Sequence, residues 1–180
     1  MKKQVTVYYL EMNHPSELKA TCKDVPEFKL TQAKIPCPEL NRFLYTAVGG
    51  EWNWTNRLRW SYEQWQECLS RTGYETWVAS MSGTPAGYFE LEPIEEGRAE
   101  IAYLGLLPQF IGQGIGGLFL SSAIRRAWEI GGRRVCLNTC TEDHSNALAV
   151  YKKHGFKIYD QKTTVVELPD EKPGPWPGAR

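Results

Sequence analysis

Apolar residues recur along this chain with two spacings, a period of two that marks strands and a period near 3.6 that marks helices. Val5–Leu10 alternates as a first strand. His14–Pro38 holds four prolines and little periodicity, which predicts loops or short irregular pieces. Leu40, Phe43, Leu44 and Ala47 recur at helical spacing and predict a short helix over Glu39–Val48; Gly49–Trp60 reads as a tryptophan-rich loop. Ser61, with Glu63 two residues on, predicts a capped helix to about Arg71. Strands over Thr76–Met81 and Ala86–Leu91 are joined by a turn at Ser82–Gly83–Thr84–Pro85, and a Glu95–Glu96–Gly97 turn leads to a third strand, Ala99–Leu106. A helix over Ile115–Ile130 ends at Gly131–Gly132, followed by a strand over Val135–Thr141. Ser145–His154 reads as a helix stopped by Gly155, with Lys152, Lys153 and His154 at its negative end. Phe156–Leu168 supplies a last strand or pair, and the proline-rich tail Pro169–Arg180 is read as mobile.

This order predicts an α/β fold, a mixed sheet in one domain over residues 1–168, and 180 residues is the usual size for one. Strict alternation along Ala99–Leu106 puts Glu100, Ala102 and Leu104 on one face and Ile101 and Tyr103 on the other.

Composition narrows the function classes. Lys+Arg and Asp+Glu are balanced at 21 each, so no net positive field recruits nucleic acid or an anionic membrane. No stretch approaches the roughly 20 apolar residues of a membrane span, and the start lacks the pattern of a signal peptide. The five cysteines, Cys22, Cys37, Cys68, Cys136 and Cys140, include no Cys-x-x-Cys pair. Reduced thiols in a cytoplasmic protein are expected, with neither a disulfide framework nor a metal site.

The chemistry concentrates in the run LLPQFIGQGIGG from Leu106 to Gly117. Clustered glycines let backbone N–H groups approach a ligand closely, and the first turn of the next helix adds unpaired N–H groups and a positive dipole end. Together these suit a phosphate or pyrophosphate. A tight strand-to-helix connection would use glycines for packing alone. Gly112-x-Gly114-x-x-Gly117 also satisfies the dinucleotide pattern Gly-x-Gly-x-x-Gly, but five residues separate it from Leu106. The acidic residue expected about 20 positions on is missing, where the chain reads Leu137–Asn138–Thr139. No Lys-Ser/Thr follows, which excludes a P-loop.

Two blocks resemble the Gcn5-related N-acetyltransferase (GNAT) superfamily. The first is Leu106-x-Pro108 followed by Gly112–Gln113–Gly114–Ile115–Gly116, similar to the family's Arg/Gln-x-x-Gly-x-Gly/Ala motif. The second is Asn146–Ala147–Leu148–Ala149–Val150–Tyr151, running on to Gly155–Phe156. The resemblance covers about Trp77–Val166 and departs from the motif at Ile111, where the family has Arg or Gln. It implies a GNAT-type fold, a largely antiparallel sheet with a splayed parallel strand pair. Residues 1–75 then form the acceptor side and 76–168 the acetyl-CoA side. It further implies acetyl-CoA as co-substrate, held by the backbone of Leu106 and Leu107 and by a loop of Ile111, Gly112, Gln113, Gly114, Ile115, Gly116 and Gly117. Asn146 is implied as a further cofactor contact and Tyr151 as the acid that protonates the departing thiolate. The packing alternative for Tyr151 is a helix-face aromatic, and for Asn146 an ordinary helix-start residue.

An attacking amine must lose a proton, and Glu100, on the strand leading into the cofactor site, is the first candidate to take it. Glu90, Glu142 and His144 are further candidates, His144 with a surface or capping role as its alternative. Trp52 and Trp54 are candidates to line an aromatic acceptor pocket, against plain packing. The expected activity is acetyl transfer to a primary amine of a small molecule or peptide in a ternary complex. An idle acyl-CoA-binding regulatory module is the alternative, against which Asn146 and Tyr151 count. The resemblance is compatible with a homodimer.

Overall fold

The computed structural model describes residues 2–94, 97–169 and 172–175. Its strands are β1 (Lys2–Met12), β2 (Phe28–Ala33), β3 (Glu75–Met81), β4 (Thr84–Ile94), β5 (Arg98–Leu106), β6 (Arg134–Cys140) and β7 (Lys157–Glu167). The helices are α1 (Pro38–Gly49), α2 (Tyr62–Leu69), α3 (Gly116–Glu129) and α4 (Ala147–Lys153). Glu95 and Glu96 of the expected turn, and Asp170, Glu171 and residues 176–180 of the tail expected to be mobile, lie outside the described residues.

The seven strands form one sheet in the order β2-β3-β4-β5-β6-β1-β7. Every neighbouring pair is antiparallel except β5 and β6. The parallel pair follows from its connection, because α3 carries the chain back along the sheet. The N-terminal strand β1 is inserted between β6 and β7, pairing Leu10 with Leu137 on one side and with Ile158 on the other.

Residues 14–38, expected to be irregular, contain strand β2. Phe28 and Leu30 alternate with exposed Lys29 and Thr31 and pack against the core, but the prolines on either side obscure so short a pattern. The β3–β4 turn is tighter than expected. Ser82 (φ 48°) and Gly83 (φ 86°) form it, the two positive values a two-residue hairpin requires, and Thr84 and Pro85 already belong to β4. Ser61 accepts from the Gln64 N–H while Gln64 reaches back to the Ser61 N–H, a capping box that starts α2.

Apolar clusters cover both faces of the sheet. On one, Phe119, Leu120, Ala123, Ile124 and Ala127 of α3 pack against Leu10, Phe89, Leu91 and Ile101. On the other, Leu44, Tyr45, Ala47 and Val48 of α1 join Trp65 of α2 and Tyr88 of β4. β4, an interior strand flanked by β3 and β5, feeds both clusters by alternation.

Alternation along β5 is not strict. Leu91 pairs with Ile101 and Glu90 with Tyr103, which leaves Ala102 as an extra residue, a β-bulge. The bulge reverses the faces beyond it. Glu100 shares its face with Tyr103 rather than with Leu104, and Leu104 joins Ile101 on the α3 side.

Candidate active site

Pairing between β5 and β6 covers Arg98↔Arg134, Ala99↔Val135 and Glu100↔Cys136. β5 continues to Leu106 and β6 to Cys140, so six residues of one and four of the other diverge. The divergence opens into a cleft of about 800 Å³. Glu100, Leu104 and Leu106 line it from β5, Asn138 from β6, Gly112 and Gly116 from the glycine loop, and Asn146 and Tyr151 from the α4 region.

The N–H of Leu107 donates to the Ala86 carbonyl at 2.8 Å. Successive residues of a strand present their backbone groups to opposite sides, so the N–H groups of Leu106 and Leu104 point into the divergence, where no strand meets them. This corrects the expectation for Leu107: its N–H is committed to the β4 side and its side chain is buried. Leu106 carries the backbone donor of the cleft.

Beyond Leu107 a single 3₁₀ turn spans Pro108–Phe110, closed by the Ile111 N–H donating to Pro108 at 3.2 Å. The Ile111 N–H is therefore committed to the turn, while its partly exposed side chain lines the cleft. Gly112 (φ 82°) and Gly114 (φ 77°) both hold the left-handed conformation that side chains disfavour. Among the described residues no acceptor takes the N–H groups of Gly112, Gln113, Gly114, Ile115, Gly116 or Gly117. These free N–H groups gather at the positive end of the 14-residue α3, an arrangement suited to an anion.

The side chains of the loop have other tasks. Gln113 donates to the Gln109 carbonyl at 2.6 Å and braces the loop, and Ile115 is buried. Gly117 is small because Thr21 sits on it, where a β-carbon would meet Thr21 Oγ1 at 2.6 Å. The glycine at that position thus serves packing of the N-terminal segment, with only its N–H left for a ligand.

Tyr151 lines the cleft from α4, with its ring edge-on to Phe156 at 6.3 Å. Burial, helped by the nearby Asp143 carboxylate, raises its pKa well above that of free tyrosine, so the phenol stays protonated across the physiological range. Asp143 is held by the Thr139 hydroxyl at 2.6 Å and the Cys140 N–H at 3.0 Å. Asn146 precedes α4 in the capping position, yet its side chain makes no cap hydrogen bond and faces the cleft. His144 braces the approach to α4, its Nδ1 accepting from the Asn146 N–H at 3.1 Å.

Glu100 is half-buried, and Asn138 Nδ2 donates to its Oε1 at 3.2 Å. Burial, reinforced by Glu92 in register across β4, raises its pKa, while Arg98 and Asn138 oppose the rise. Of the other carboxylates considered as bases, Glu90 is excluded by burial. It is 0% exposed, bonded to Arg57 at 2.6 Å and to Asn41 at 2.7 Å, and accepts from Tyr74. Glu142 pairs with Lys3 at 2.7 Å and does not line the cleft.

Trp52 and Trp54 both reach the cleft wall but differ in kind. Trp52 stands edge-on to His144 at 5.3 Å. Trp54 is wedged between Gly49 and Gly105, with its ring 4.9 Å from that of Tyr103, so packing and cleft lining coincide in it. Reading the sequence missed Asn138, Asp143 and Tyr103 as contributors. Asn138 alternates with Cys136 and Cys140, which signalled a shared face, but nothing local signalled that Glu100 lies across from it.

Among the described residues no group of three or more His, Cys, Asp or Glu is placed to hold a metal ion, and no helix is long and apolar enough to cross a membrane.

Comparison with known proteins agrees with this geometry. No curated protein matches the sequence. Among solved structures the fold is similar to a GCN5-related N-acetyltransferase from Sphaerobacter thermophilus, with TM-score 0.65, 14% identity, and coverage of 94% of this chain and 53% of that one. It is also similar to a GCN5-related N-acetyltransferase from Kribbella flavida, with TM-score 0.62, 16% identity, and coverage of 89% and 57%. A GNAT family acetyltransferase from Elizabethkingia anophelis with acetyl-CoA bound gives TM-score 0.55, 24% identity, and coverage of 76% and 80%. This chain thus spans little more than half the length of the first two. Residues 38–156 match the model of the acetyltransferase (GNAT) family, well over half of the 180, and the chain therefore belongs to that family.

Proposed function

We propose that this protein transfers an acetyl group from acetyl-CoA to a primary amine of a small molecule or peptide, by direct attack within a ternary complex. The observation that carries the reading is the divergence of β5 and β6. It leaves the Leu106 N–H unpaired, with a cradle of free N–H groups at one end and two oppositely suited side chains along the cleft.

The cradle from Gly112 to Gly117 suits the diphosphate, because a β-carbon at Gly112 meets nothing within 4 Å and the N–H groups are unspent. An extended pantetheine arm fits between the strands and takes the hydrogen bonds that β6 does not supply to Leu104 and Leu106. Glu100 accepts the proton of the incoming ammonium, directly or through a water. The amine nitrogen then forms its bond to the thioester carbonyl carbon, and the carbonyl oxygen gains negative charge at the Leu106 N–H. A preorganised donor there contributes about 3 kcal/mol in the transition state. The C–S bond breaks, the Tyr151 hydroxyl gives its proton to the leaving thiolate, and the second proton lost by the nitrogen as the neutral amide forms returns through water to the Tyr151 phenolate. A raised carboxyl pKa at Glu100 and a protonated phenol at Tyr151 suit one base and one acid. Trp52 and Trp54 supply aromatic surface for the acceptor.

Release of free thiol from acetyl-CoA across a panel of amines tests the reading. Amine-dependent release supports it. Tight acetyl-CoA binding with no release for any acceptor would support an idle acyl-CoA-binding module instead.

A further inference from the structure

The N-terminal segment that joins β1 to β2 crosses the start of α3 and is tied down at several points. The Lys19 N–H donates to the His154 carbonyl at 3.0 Å, and the Thr21 N–H donates to Ser121 Oγ at 2.9 Å. Thr21 Oγ1 pairs with His154 Nε2 at 3.3 Å. Two glycines make room for it, since a β-carbon on Gly155 would meet the Glu17 carbonyl oxygen at 2.0 Å and one on Gly117 would meet Thr21. So anchored, the segment brings Lys23 over the glycine loop. A β-carbon on Gly114 would lie 2.9 Å from the Lys23 ammonium nitrogen, the one neighbour within 4 Å. Among the described residues Lys23 has no ion-pair partner, and Asp24 beside it makes none either.

We propose that Lys23 is a binding residue for the diphosphate of acyl-CoA, supplying from outside the glycine motif the positive charge that Ile111 cannot. The inference rests on the acetyl-CoA reading above. Free N–H groups orient an anion but carry no net charge, and a diphosphate brings two negative charges to a loop whose own residues, Ile111 to Gly117, have no cationic side chain. An ammonium on a flexible stem, unpaired and in contact range of the central glycine, meets that need as a point charge. Lys23 lies outside residues 38–156, the part of the chain that matches the family model, so the motif itself does not provide it.

Binding of acetyl-CoA, acetyl-3′-dephospho-CoA and S-acetylpantetheine is measured by titration calorimetry for the full-length wild type, Lys23→Ala, Lys23→Arg and Lys19→Ala, at low and high salt. The expected result for Lys23→Ala is about tenfold weaker binding of both diphosphate ligands, with a shallower salt dependence. S-Acetylpantetheine should bind wild type and Lys23→Ala alike, and Lys23→Arg and Lys19→Ala should bind all three ligands within about twofold of wild type. Equal affinity of Lys23→Ala and wild type for acetyl-CoA would overturn the role of Lys23 alone. So would an equal loss in Lys19→Ala, which would reveal a general field rather than a contact, or a loss confined to the ligand with the 3′-phosphate. Failure of the wild type to bind acetyl-CoA would overturn the acetyl-CoA reading itself, and the proposal with it.

Discussion

Asn138 and Glu100 face each other where β5 and β6 part, the amide of one donating to the carboxylate of the other at 3.2 Å. Glu100 pairs in register with Cys136, the last rung of the parallel ladder, and Asn138 lies two residues beyond it. The carboxylate therefore sits at the apex of the divergence, oriented from the far strand and half withdrawn from water. That setting raises its pKa by burial and by Glu92, and it predicts a base that loses its proton above the ordinary carboxylate range.

For activity, kcat/KM should rise with pH along a limb set by Glu100, displaced upward from about 4.3, the value of a free glutamate. Glu100→Gln should remove that limb and lower kcat/KM by about a hundredfold. A pH–rate profile of the variant that keeps the wild-type limb would remove Glu100 from the mechanism. The same shift has a consequence for stability. A carboxyl whose folded pKa lies above its unfolded value binds a proton more readily when folded. Its contribution is fully present below the unfolded pKa and is lost as pH rises through the folded one. Glu100→Gln should thus leave the protein at neutral pH at least as stable as wild type, checked by thermal unfolding.

Tyr151→Phe should lower kcat by about a hundredfold while the affinity for acetyl-CoA changes little, because in the proposed reaction the hydroxyl acts on the departing sulfur. Single-turnover thiol release and equilibrium binding, measured together, separate the two effects. Turnover at the wild-type level would leave Tyr151 a packing residue against Phe156.

Gly114→Asp places a side chain at φ 77° and a carboxylate in the anion cradle. Acetyl-CoA binding should be abolished in calorimetry while far-UV circular dichroism stays that of the wild type. Normal affinity would refute the loop assignment.

The Arg57–Glu90 pair is a stability element. Both side chains are less than a tenth exposed, and the guanidinium lies over the rings of Tyr103 at 4.4 Å and Trp60 at 4.7 Å. Burial disfavours the charge on Arg57, but Glu90 together with Tyr74 and Tyr103 more than offsets this and holds it protonated. Arg57→Ala should destabilise the protein by about 3–5 kcal/mol, since the buried Glu90 is left without its cationic partner. Arg57→Met combined with Glu90→Leu should cost less than Arg57→Ala alone, and urea denaturation of the set decides it.

Particular residues mark how far the sequence could be read. The strands of the meander, both long helices and the glycine loop follow from period and punctuation, and their observed bounds lie within three residues of the expected ones. Family and fold were legible because two blocks, around Gly112–Gly116 and Asn146–Phe156, combine residue types whose spacing is specific. β2 was not legible, because a six-residue edge strand with two apolar anchors is hidden between prolines. Nor was the burial of Glu90, since a carboxylate on a strand reads as solvent-facing until Arg57, Asn41 and Tyr74 are seen to converge on it.

The sequence by itself determined the local quantities: where the backbone is helical or extended, where glycine frees it, and which side chains bring acid, base and aromatic surface. Those follow from each residue and its near neighbours. The tertiary structure decided everything that depends on register and on partners distant in sequence. It placed β1 between β6 and β7, and the bulge at Ala102 turned Glu100 toward Tyr103 and away from Leu104. It spent the N–H groups of Leu107 and Ile111 on Ala86 and Pro108, and it carried Lys23 across more than 90 residues of chain to Gly114. A one-residue slip in pairing reverses every face beyond it, and no local pattern records such a slip.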